Sequence, residues 1–233
     1  MAKRVRNEVS LHRRLRHPNI LALYHHFEDD ERVYLVMELC VRGELFDLLR
    51  RRKDEEFSAP LAGAAAATKP VGGILSESEA RGVLRDVVAG LRFLHARNII
   101  HRDLKLSNIL LGGQGGQAKI ADFGLAVDIS ANSDTVSADP AHEQRTICGT
   151  PNYLAPEILD RKCYGKTADI WSLGCLLYSF LCGRPPFDSS SLTDTFDRVR
   201  RMEYAIPAHV SPAARDLITR LLQPDPSNRP SFD

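Results

Sequence analysis

The sequence lacks C-x-x-C cysteine pairs and long apolar runs, and it has almost no net charge. Its five cysteines form no C-x-x-C pair, which argues against a disulfide framework or a zinc site and favours a reducing compartment. The formal net charge is +1, so no overall field predicts nucleic acid or an anionic membrane as a partner. The longest apolar run, from Ile170, has about a dozen residues, fewer than the roughly 20 of a membrane span, and predicts a buried helix. The N-terminus also lacks the apolar region of a signal peptide. We therefore expect an intracellular, cytoplasmic protein that binds neither nucleic acid nor membrane.

The composition is that of a soluble globular protein, with 43% hydrophobic and 26% charged residues over 233 positions. The pattern changes character near Gly43. Before this residue lie a helix that contains Glu8 and two strand-like segments, ILALYHHFED and RVYLVMEL, separated by polar residues. After it, helical patterns dominate. The sequence therefore predicts a small strand-rich part over residues 1–42 and a larger, mainly helical part over residues 43–233.

The clearest helix begins at the stretch SESE. Ser76 can cap its N-terminus while Glu79 reaches back as the other half of a capping box. Apolar residues at helical spacing predict a face packed on the core: Ala80, Val83, Leu84, Val87, Val88, Leu91 and Leu94.

Residues 54–75 differ from the rest of the chain, because an alanine run there is bracketed by proline and glycine. Such a low-complexity stretch is typical of a flexible insertion. An alternative is a short helical turn around Ala65 with a binding role, which the flanking Pro60 and Pro70 disfavour.

Three motifs follow the SESE helix in order: HRDLKLSN at 101–108, ADFG at 121–124 and APE at 155–157. Together they match the catalytic loop, the metal-binding triplet and the end of the activation segment of protein kinases. The chain therefore resembles eukaryotic-type protein kinases. The resemblance implies a two-lobed α+β fold, with part of the small β-rich lobe and the hinge in residues 1–42 and the helical large lobe in residues 43–233.

The resemblance implies that four side chains take part in the transfer of a phosphoryl group from ATP. Asp103 matches the acceptor of the substrate hydroxyl, and Lys105 matches the lysine that serine/threonine kinases place beside the transferred phosphate. Asn108 and Asp122 match positions that hold Mg²⁺, to which oxygen ligands are suited. ATP and Mg²⁺ are the implied cofactors, and proteins the implied substrates. For Asp103 and Asn108, the alternative is a loop whose side chains cap its own turns.

The stretch RVYLVMELCVRGEL resembles the last strand of the small lobe and the hinge that follows it. The resemblance places Met37 behind the adenine as gatekeeper and assigns base recognition to the backbone of Glu38 and Cys40. It also includes Glu44 in the ATP site. Met37 and Leu39 could equally be ordinary core residues, and for Leu39 we favour that alternative.

Three further residues match positions that hold the large lobe of a kinase together. Asp169, in DIWSLG, resembles the helix aspartate that accepts hydrogen bonds from the catalytic-loop backbone. Glu157 and Arg229 match a buried ion pair that ties the end of the activation segment to the lower lobe. Loss of one partner would strand a buried charge, so we expect stability to suffer first and activity second.

The activation segment is expected to span residues 122–157. Thr146 matches the phosphorylated threonine of related kinases, and Arg102 matches the residue that pairs with that phosphate. Thr150 matches a residue that contacts the substrate and the catalytic aspartate. Other hydroxyl residues of the segment are interpreted as solvated loop positions: Ser130, Ser133, Thr135 and Ser137.

Longer stretches narrow the resemblance to one subfamily. RVRNEVSLHRRLRHPNIL, YLVMELCVRGEL, TICGTPNYLAPEI and CGRPPFD are similar to the polo-like kinases, especially those of the Sak type. An Aurora-like kinase is the alternative. The polo-like resemblance implies a role in cell-cycle or centriole control, and it adds the centrosome, the centriole and the nucleus as candidate locations.

The resemblance also implies a lysine partner for Glu8. In protein kinases the helix glutamate pairs with a lysine on the preceding strand, and a G-x-G-x-x-G loop covers the ATP phosphates. The sequence contains neither, because GGQGG at 112–116 falls where a hairpin turn belongs. We therefore expect an N-terminally truncated small lobe and weak ATP binding by the chain alone. The alternative function, a pseudokinase that acts as a binding scaffold, is disfavoured by the intact Asp103, Asn108 and Asp122.

The first testable prediction concerns Thr146. Thr146→Ala should lower kinase activity, because the activation segment loses the phosphate that would pair with Arg102 and order it. Activity of the full-length protein and mass spectrometry of the segment provide the measurement, with Ser133→Ala as the control that leaves activity unchanged. An unchanged rate, with no phosphate found at Thr146, would rule out this switch.

Overall fold

The structure is a computed structural model that describes residues 2–58, 75–112, 116–130 and 147–232, with the backbone alone for residues 2–4 and 55–58. Its helices are α1 (Ala2–His12), α2 (Leu45–Ser58), α3 (Glu77–His95), α4 (Pro156–Leu159), α5 (Lys166–Cys182), α6 (Leu192–Arg201) and α7 (Pro212–Leu221). Its strands are β1 (Leu23–Glu28), β2 (Val33–Met37), β3 (Ile99–Ile100), β4 (Ile109–Gly112), β5 (Gln117–Ile120) and β6 (Val127–Asp128). No helix in these ranges is long and apolar enough to cross a membrane.

The smaller part of the fold consists of α1 and the β1–β2 hairpin. The two strands pair antiparallel from Leu23 opposite Met37 to Glu28 opposite Val33, which confirms the two strands predicted from the sequence. Asp29 closes the turn between them, because its carboxylate accepts hydrogen bonds from the amides of Glu31 at 2.9 Å and Arg32 at 2.7 Å.

Helix α1 ends at His12, although apolar residues at helical spacing, Val5, Leu11 and Leu15, continue beyond it. Beyond this point the amides of Arg14 and Leu15 donate to carbonyls three residues back, which tightens the chain into a turn. Leu15 therefore reaches the core from the turn and is almost fully buried.

The larger part of the fold surrounds two long helices. Helix α3 begins with the predicted capping box: the Glu79 amide donates to Ser76 Oγ, and the Ser76 amide donates to the Glu79 carboxylate. The predicted apolar face of α3 lies on the core. Helix α5 is buried from Ala168 to Leu181 and is followed by Gly183, whose φ of +71° is a left-handed conformation that glycine adopts readily. The apolar run from Ile170 is thus the predicted buried helix.

Short strands between α3 and α4 carry the motifs of the large part. β4 and β5 pair antiparallel as the predicted hairpin, although residues 113–115 of its turn lie outside the described residues. β3 pairs with β6, which brings together the segments before the catalytic loop and after ADFG. The arrangement confirms the predicted two-lobed α+β fold, while the boundary between residues 42 and 43 stays a prediction.

The predicted insertion over residues 54–75 is only partly described. Helix α2 extends into its first residues and ends at Ser58. The alanine run and the alternative turn around Ala65 lie outside the described residues.

A buried ion pair joins α4 to the C-terminal end of the large part. The guanidinium of Arg229 donates to both carboxylate oxygens of Glu157 at 2.7 and 2.8 Å. It also donates to the backbone carbonyls of Gln223 and Thr167. Both side chains are buried, so neither could exchange its partner for water without rearrangement.

Removal of this pair should destabilise the fold. Arg229→Met leaves the Glu157 carboxylate buried without its main cation, and we expect the free energy of unfolding to fall by about 3–5 kcal/mol. Denaturant titration followed by circular dichroism provides the measurement.

The control is Arg220→Met, which removes the exposed pair of Arg220 with Asp216 on α7. An exposed pair contributes about 0.2–1 kcal/mol, so this variant should unfold close to the parent. Equal shifts in the two variants would contradict a special role for the buried pair.

Candidate active site

The carboxylate of Asp103 lies at the centre of the candidate active site. It is 8% exposed and accepts three hydrogen bonds from side chains. Thr150 Oγ1 donates to Oδ1 at 2.8 Å, and Lys105 Nζ donates to Oδ2 at 2.7 Å. Asn108 Nδ2 donates to Oδ2 at 3.1 Å and to the Asp103 carbonyl at 2.8 Å. The fold therefore brings together four residues that the sequence separates by up to 47 positions.

Asp169 fixes the backbone that carries Asp103. Its carboxylate accepts hydrogen bonds from the amides of His101 and Arg102, both at 2.9 Å, and from His95 Nε2 at 2.9 Å. Burial by itself raises the pKa of Asp169, but the hydrogen bond from His95 and neighbouring positive charge outweigh it and lower the pKa. The carboxylate is therefore ionised at neutral pH and holds a loop in which Arg102 has a left-handed φ of +68°.

Asp122 begins the segment opposite the catalytic loop. It is exposed and also has a left-handed φ, +62°, and its Oδ1 accepts a hydrogen bond from the Gly124 amide at 3.1 Å. The amide of Ala121 donates to the Asn108 carbonyl at 2.8 Å. This bond keeps Asp122 and Asn108 on adjacent pieces of backbone.

Asn108 and Asp122 have side chains that suit a magnesium ion. Asn108 and Asp122 offer hard oxygen atoms, and Mg²⁺ in nucleotide sites typically takes one or two carboxylates together with phosphate oxygens and water. Over the described part of the chain, no group of three or more His, Cys, Asp or Glu side chains could hold a metal ion. The donor set of one amide and one carboxylate thus differs from the four Cys and His ligands of a structural zinc site.

Glu8 lies next to this segment. A Cβ atom added at Gly124 would lie 3.3 Å from Oε2 of Glu8 and 3.2 Å from Oδ1 of Asp122. Helix α1 therefore brings its carboxylate to the Asp122–Gly124 turn. The pairing of Glu8 with a strand lysine stays a prediction.

Three aromatic rings that no sequence motif marked as a contact connect α1 to the catalytic loop and to the ADFG turn. Phe123 lies between His12, at a centroid distance of 4.6 Å, and His101, at 5.3 Å. His12 Nε2 is 2.7 Å from the carbonyl of Leu21, and burial lowers the pKa of His12, so the ring is neutral and donates this bond. The available signal was the position of His12 one helical turn after Glu8, on the same face.

The predicted hinge follows β2. The Glu38 amide donates to the Ala22 carbonyl at 2.9 Å, and the Gly43 amide donates to the Cys40 carbonyl at 3.0 Å. Glu44 is bridged to Leu110 of β4. Burial and the nearby charge of Glu38 raise the pKa of the Cys40 thiol, which suits a small apolar residue rather than a reactive one.

The side chains at the start of the hinge are exposed. Leu39 is 79% exposed and Met37 is 42% exposed. The expectation that Leu39 is a core residue is therefore wrong. The hinge is an extended connection at the edge of the hairpin, where alternate side chains point away from the core.

Arg102 connects the catalytic loop to the activation segment. Its Nε donates to the Leu125 carbonyl, and its Nη1 donates to the hydroxyl of Tyr164 at 3.3 Å. Thr146, its predicted phosphate-bearing partner, lies outside the described residues, as do Ser133, Thr135 and Ser137. Ser130 is described, and its hydroxyl donates to Asp128.

Gly149 allows Thr150 to reach the catalytic loop. Its φ is +109°, and an added Cβ atom would lie 2.7 Å from the carbonyl oxygen of Arg102. A residue with a side chain would therefore push the activation segment away from the loop. The close approach places the Thr150 hydroxyl 3.0 Å from Lys105 Nζ.

Comparison with protein families matches the whole chain, residues 1–233, to the protein kinase domain. The chain belongs to the protein kinase family. This confirms the class that the three motifs predict.

Individual relatives identify the kind of kinase. The serine/threonine-protein kinase PLK4 of Xenopus tropicalis is 44% identical over 232 residues, 100% of this chain and 22% of that protein. PLK4 of Nematostella vectensis is 45% identical over 229 residues, 98% of this chain and 21% of that protein. PLK4 of Aedes aegypti is 43% identical over 233 residues, 100% of this chain and 27% of that protein. The chain thus spans about a fifth to a quarter of the length of the curated relatives it matches. These relatives confirm the resemblance to polo-like serine/threonine kinases and do not support the Aurora-like alternative.

Proposed function

We propose that this chain transfers the γ-phosphate of ATP to serine and threonine hydroxyls of protein substrates. The observation that carries the proposal is the set of contacts around Asp103. Its carboxylate accepts one hydrogen bond from a hydroxyl, that of Thr150, and others from Lys105 and Asn108. Phosphoryl transfer to an alcohol needs an acceptor for the hydroxyl and positive charge beside the phosphate. Asp103 is such an acceptor, and the Lys105 ammonium and the Asn108 amide lie within 3.1 Å of its carboxylate.

Asp103 is the proposed acceptor for the substrate hydroxyl. Thr150 supports this role, because its own hydroxyl already donates to Oδ1 at 2.8 Å and so marks a position for an alcohol. The carboxylate orients the attacking oxygen and receives its proton as the new bond to the γ-phosphorus forms and the bond between that phosphorus and ADP breaks. Lys105, 2.7 Å from Oδ2, supplies positive charge beside the negative charge of the phosphoryl group.

Asn108 and Asp122 are the proposed ligands of Mg²⁺, and the backbone of Glu38 and Cys40 is the proposed contact of the adenine. Bound Mg²⁺ neutralises charge that develops on the phosphates. Asn108 has two tasks in this scheme. Its amide nitrogen donates to Asp103, which leaves its amide oxygen for the metal.

The proposed setting of this activity is cell-cycle or centriole control, as the resemblance to polo-like kinases of the Sak type implies. The proposed partners are ATP and protein substrates. The corresponding locations are the cytoplasm with the centrosome or centriole, and the nucleus.

The proposed role of Asp103 can be tested by one substitution. Asp103→Asn keeps the size of the side chain but removes the proton acceptor, so we expect phosphoryl transfer to fall by at least about 100-fold. ATP affinity should remain measurable, because Asp103 acts on the hydroxyl and not on the nucleotide. Radiolabelled phosphate transfer and equilibrium nucleotide binding, both on the full-length protein, provide the two measurements.

Asp216→Asn is the matched control, because it removes an exposed carboxylate on α7 that pairs with Arg220. Its activity should equal that of the parent. Activity of Asp103→Asn within a few-fold of the parent would contradict the assignment of Asp103.

A further inference from the structure

Lys119 of β5 is a buried lysine outside the motifs. The residue is 7% exposed, so its charge requires partners within the protein. Nζ lies 3.0 Å from Oε2 of Glu38 and donates to the carbonyl of Pro18 at 2.6 Å. Lys119 therefore joins the strand before ADFG to the hinge residue Glu38, 81 positions earlier in the chain.

The fold makes room for this side chain. A Cβ atom added at Gly112 would lie 2.9 Å from Cε and 3.2 Å from Cδ of Lys119, and 3.3 Å from Sγ of Cys40. Glycine at position 112 thus lets the lysine stem pass between β4 and the hinge. A lysine on the surface would extend into solvent and would not need the space that glycine leaves at position 112.

The loop after α1 is held between Lys119 and the hinge. Asn19 donates through Nδ2 to the Ala118 carbonyl at 3.0 Å, and its own carbonyl accepts from the Ile120 amide at 3.0 Å. The Leu21 amide donates to the Ile120 carbonyl at 2.9 Å. The loop and β5 are therefore hydrogen-bonded on both sides of Lys119.

Glu38 is bound to the same loop through both backbone and side chain. Its amide donates to the Ala22 carbonyl at 2.9 Å, and its carboxylate accepts from the Ala22 amide at 3.4 Å. The carboxylate of Glu38 is thus shared between Ala22 and Lys119. This arrangement fixes the direction of the backbone at the first hinge residue.

We propose that Lys119 is a positioning residue for the nucleotide, because its ion pair with Glu38 sets the hinge backbone relative to the strand that leads to Asp122. The inference rests on the proposed function, in which the hinge binds adenine and Asp122 binds Mg²⁺. The adenine contacts the backbone of this first hinge residue, whose direction the ion pair fixes. A hinge held in that direction before binding therefore lowers the entropy that adenine binding would otherwise lose.

A positioning ion pair and a purely structural ion pair have different measurable effects. A structural pair contributes to the free energy of unfolding alone. A positioning pair also changes affinity for the adenine end of the nucleotide, and it does so only while both Lys119 and Glu38 are present.

The test is a double-mutant cycle on the full-length protein. Lys119→Met removes the charge and keeps an unbranched stem beside Gly112, and Glu38→Gln removes the opposite charge and keeps the side-chain shape. Isothermal titration gives the dissociation constants for Mg·ATP and for adenosine in the parent, both single variants and the double variant. The control is Lys162→Met, which breaks an exposed pair with Asp160.

Lys119→Met should weaken ATP and adenosine binding by the same factor, about fivefold, and the double variant should bind no worse than Lys119→Met. Lys162→Met should bind as the parent does. Adenosine affinity within twofold of the parent in Lys119→Met, or effects of the two single variants that multiply independently, would overturn the proposal.

Amide hydrogen exchange separates this proposal from the proposed function. In Lys119→Met the Glu38 amide should exchange at least about tenfold faster, because the bond to Ala22 loses its support. Absence of ATP and adenosine binding in the parent would contradict the proposed function of the chain. In that case exchange at Glu38 still decides: faster exchange supports the positioning of the hinge by Lys119, and unchanged exchange overturns it.

Discussion

The carboxylate of Asp169, which is 1% exposed, accepts hydrogen bonds from two consecutive amides of the catalytic loop and from His95. These bonds offset the cost of the left-handed conformation at Arg102, which is of order 1–3 kcal/mol. They also set the direction in which the next residue, Asp103, leaves the backbone. Because the folded-state pKa of Asp169 is lowered, its contribution to stability is present at neutral pH and is lost as the pH falls through that pKa.

Other contacts connect this catalytic loop to the rest of the site. His101 is held at its backbone by Asp169, and its ring contacts Phe123, which in turn contacts His12 on α1. On the other side, the close approach of Gly149 to Arg102 brings Thr150 to Asp103. The helix, the ADFG turn and the activation segment are therefore all positioned against one loop, whose own conformation depends on a buried charge from α5.

The sequence predicted those features that local spacing determines. HRDLKLSN and ADFG are short motifs, and the capping box at Ser76 and Glu79 is set within one helical turn, so each could be found without knowledge of the fold. The end of α1 could not be predicted from the apolar spacing, because that spacing continues past His12 to Leu15. The exposure of Leu39 was missed because an apolar residue in a hinge has the same pattern as one in a core. Contacts of Lys119 with Pro18 and Glu38 join distant segments, and no local pattern contains them.

The central proposal is that Asp169 positions Asp103 for the proposed phosphoryl transfer, and Asp169→Asn tests it most directly. The amide nitrogen of the new side chain would face one of the two loop amides, so that donor loses its acceptor. Turnover by the full-length protein and exchange of the His101 and Arg102 amides should be measured together. The account predicts faster exchange and a kcat lower by about 100-fold, with little change in KM for ATP, because a displaced carboxylate affects the hydroxyl and not the nucleotide. Faster exchange with an unchanged kcat would contradict it.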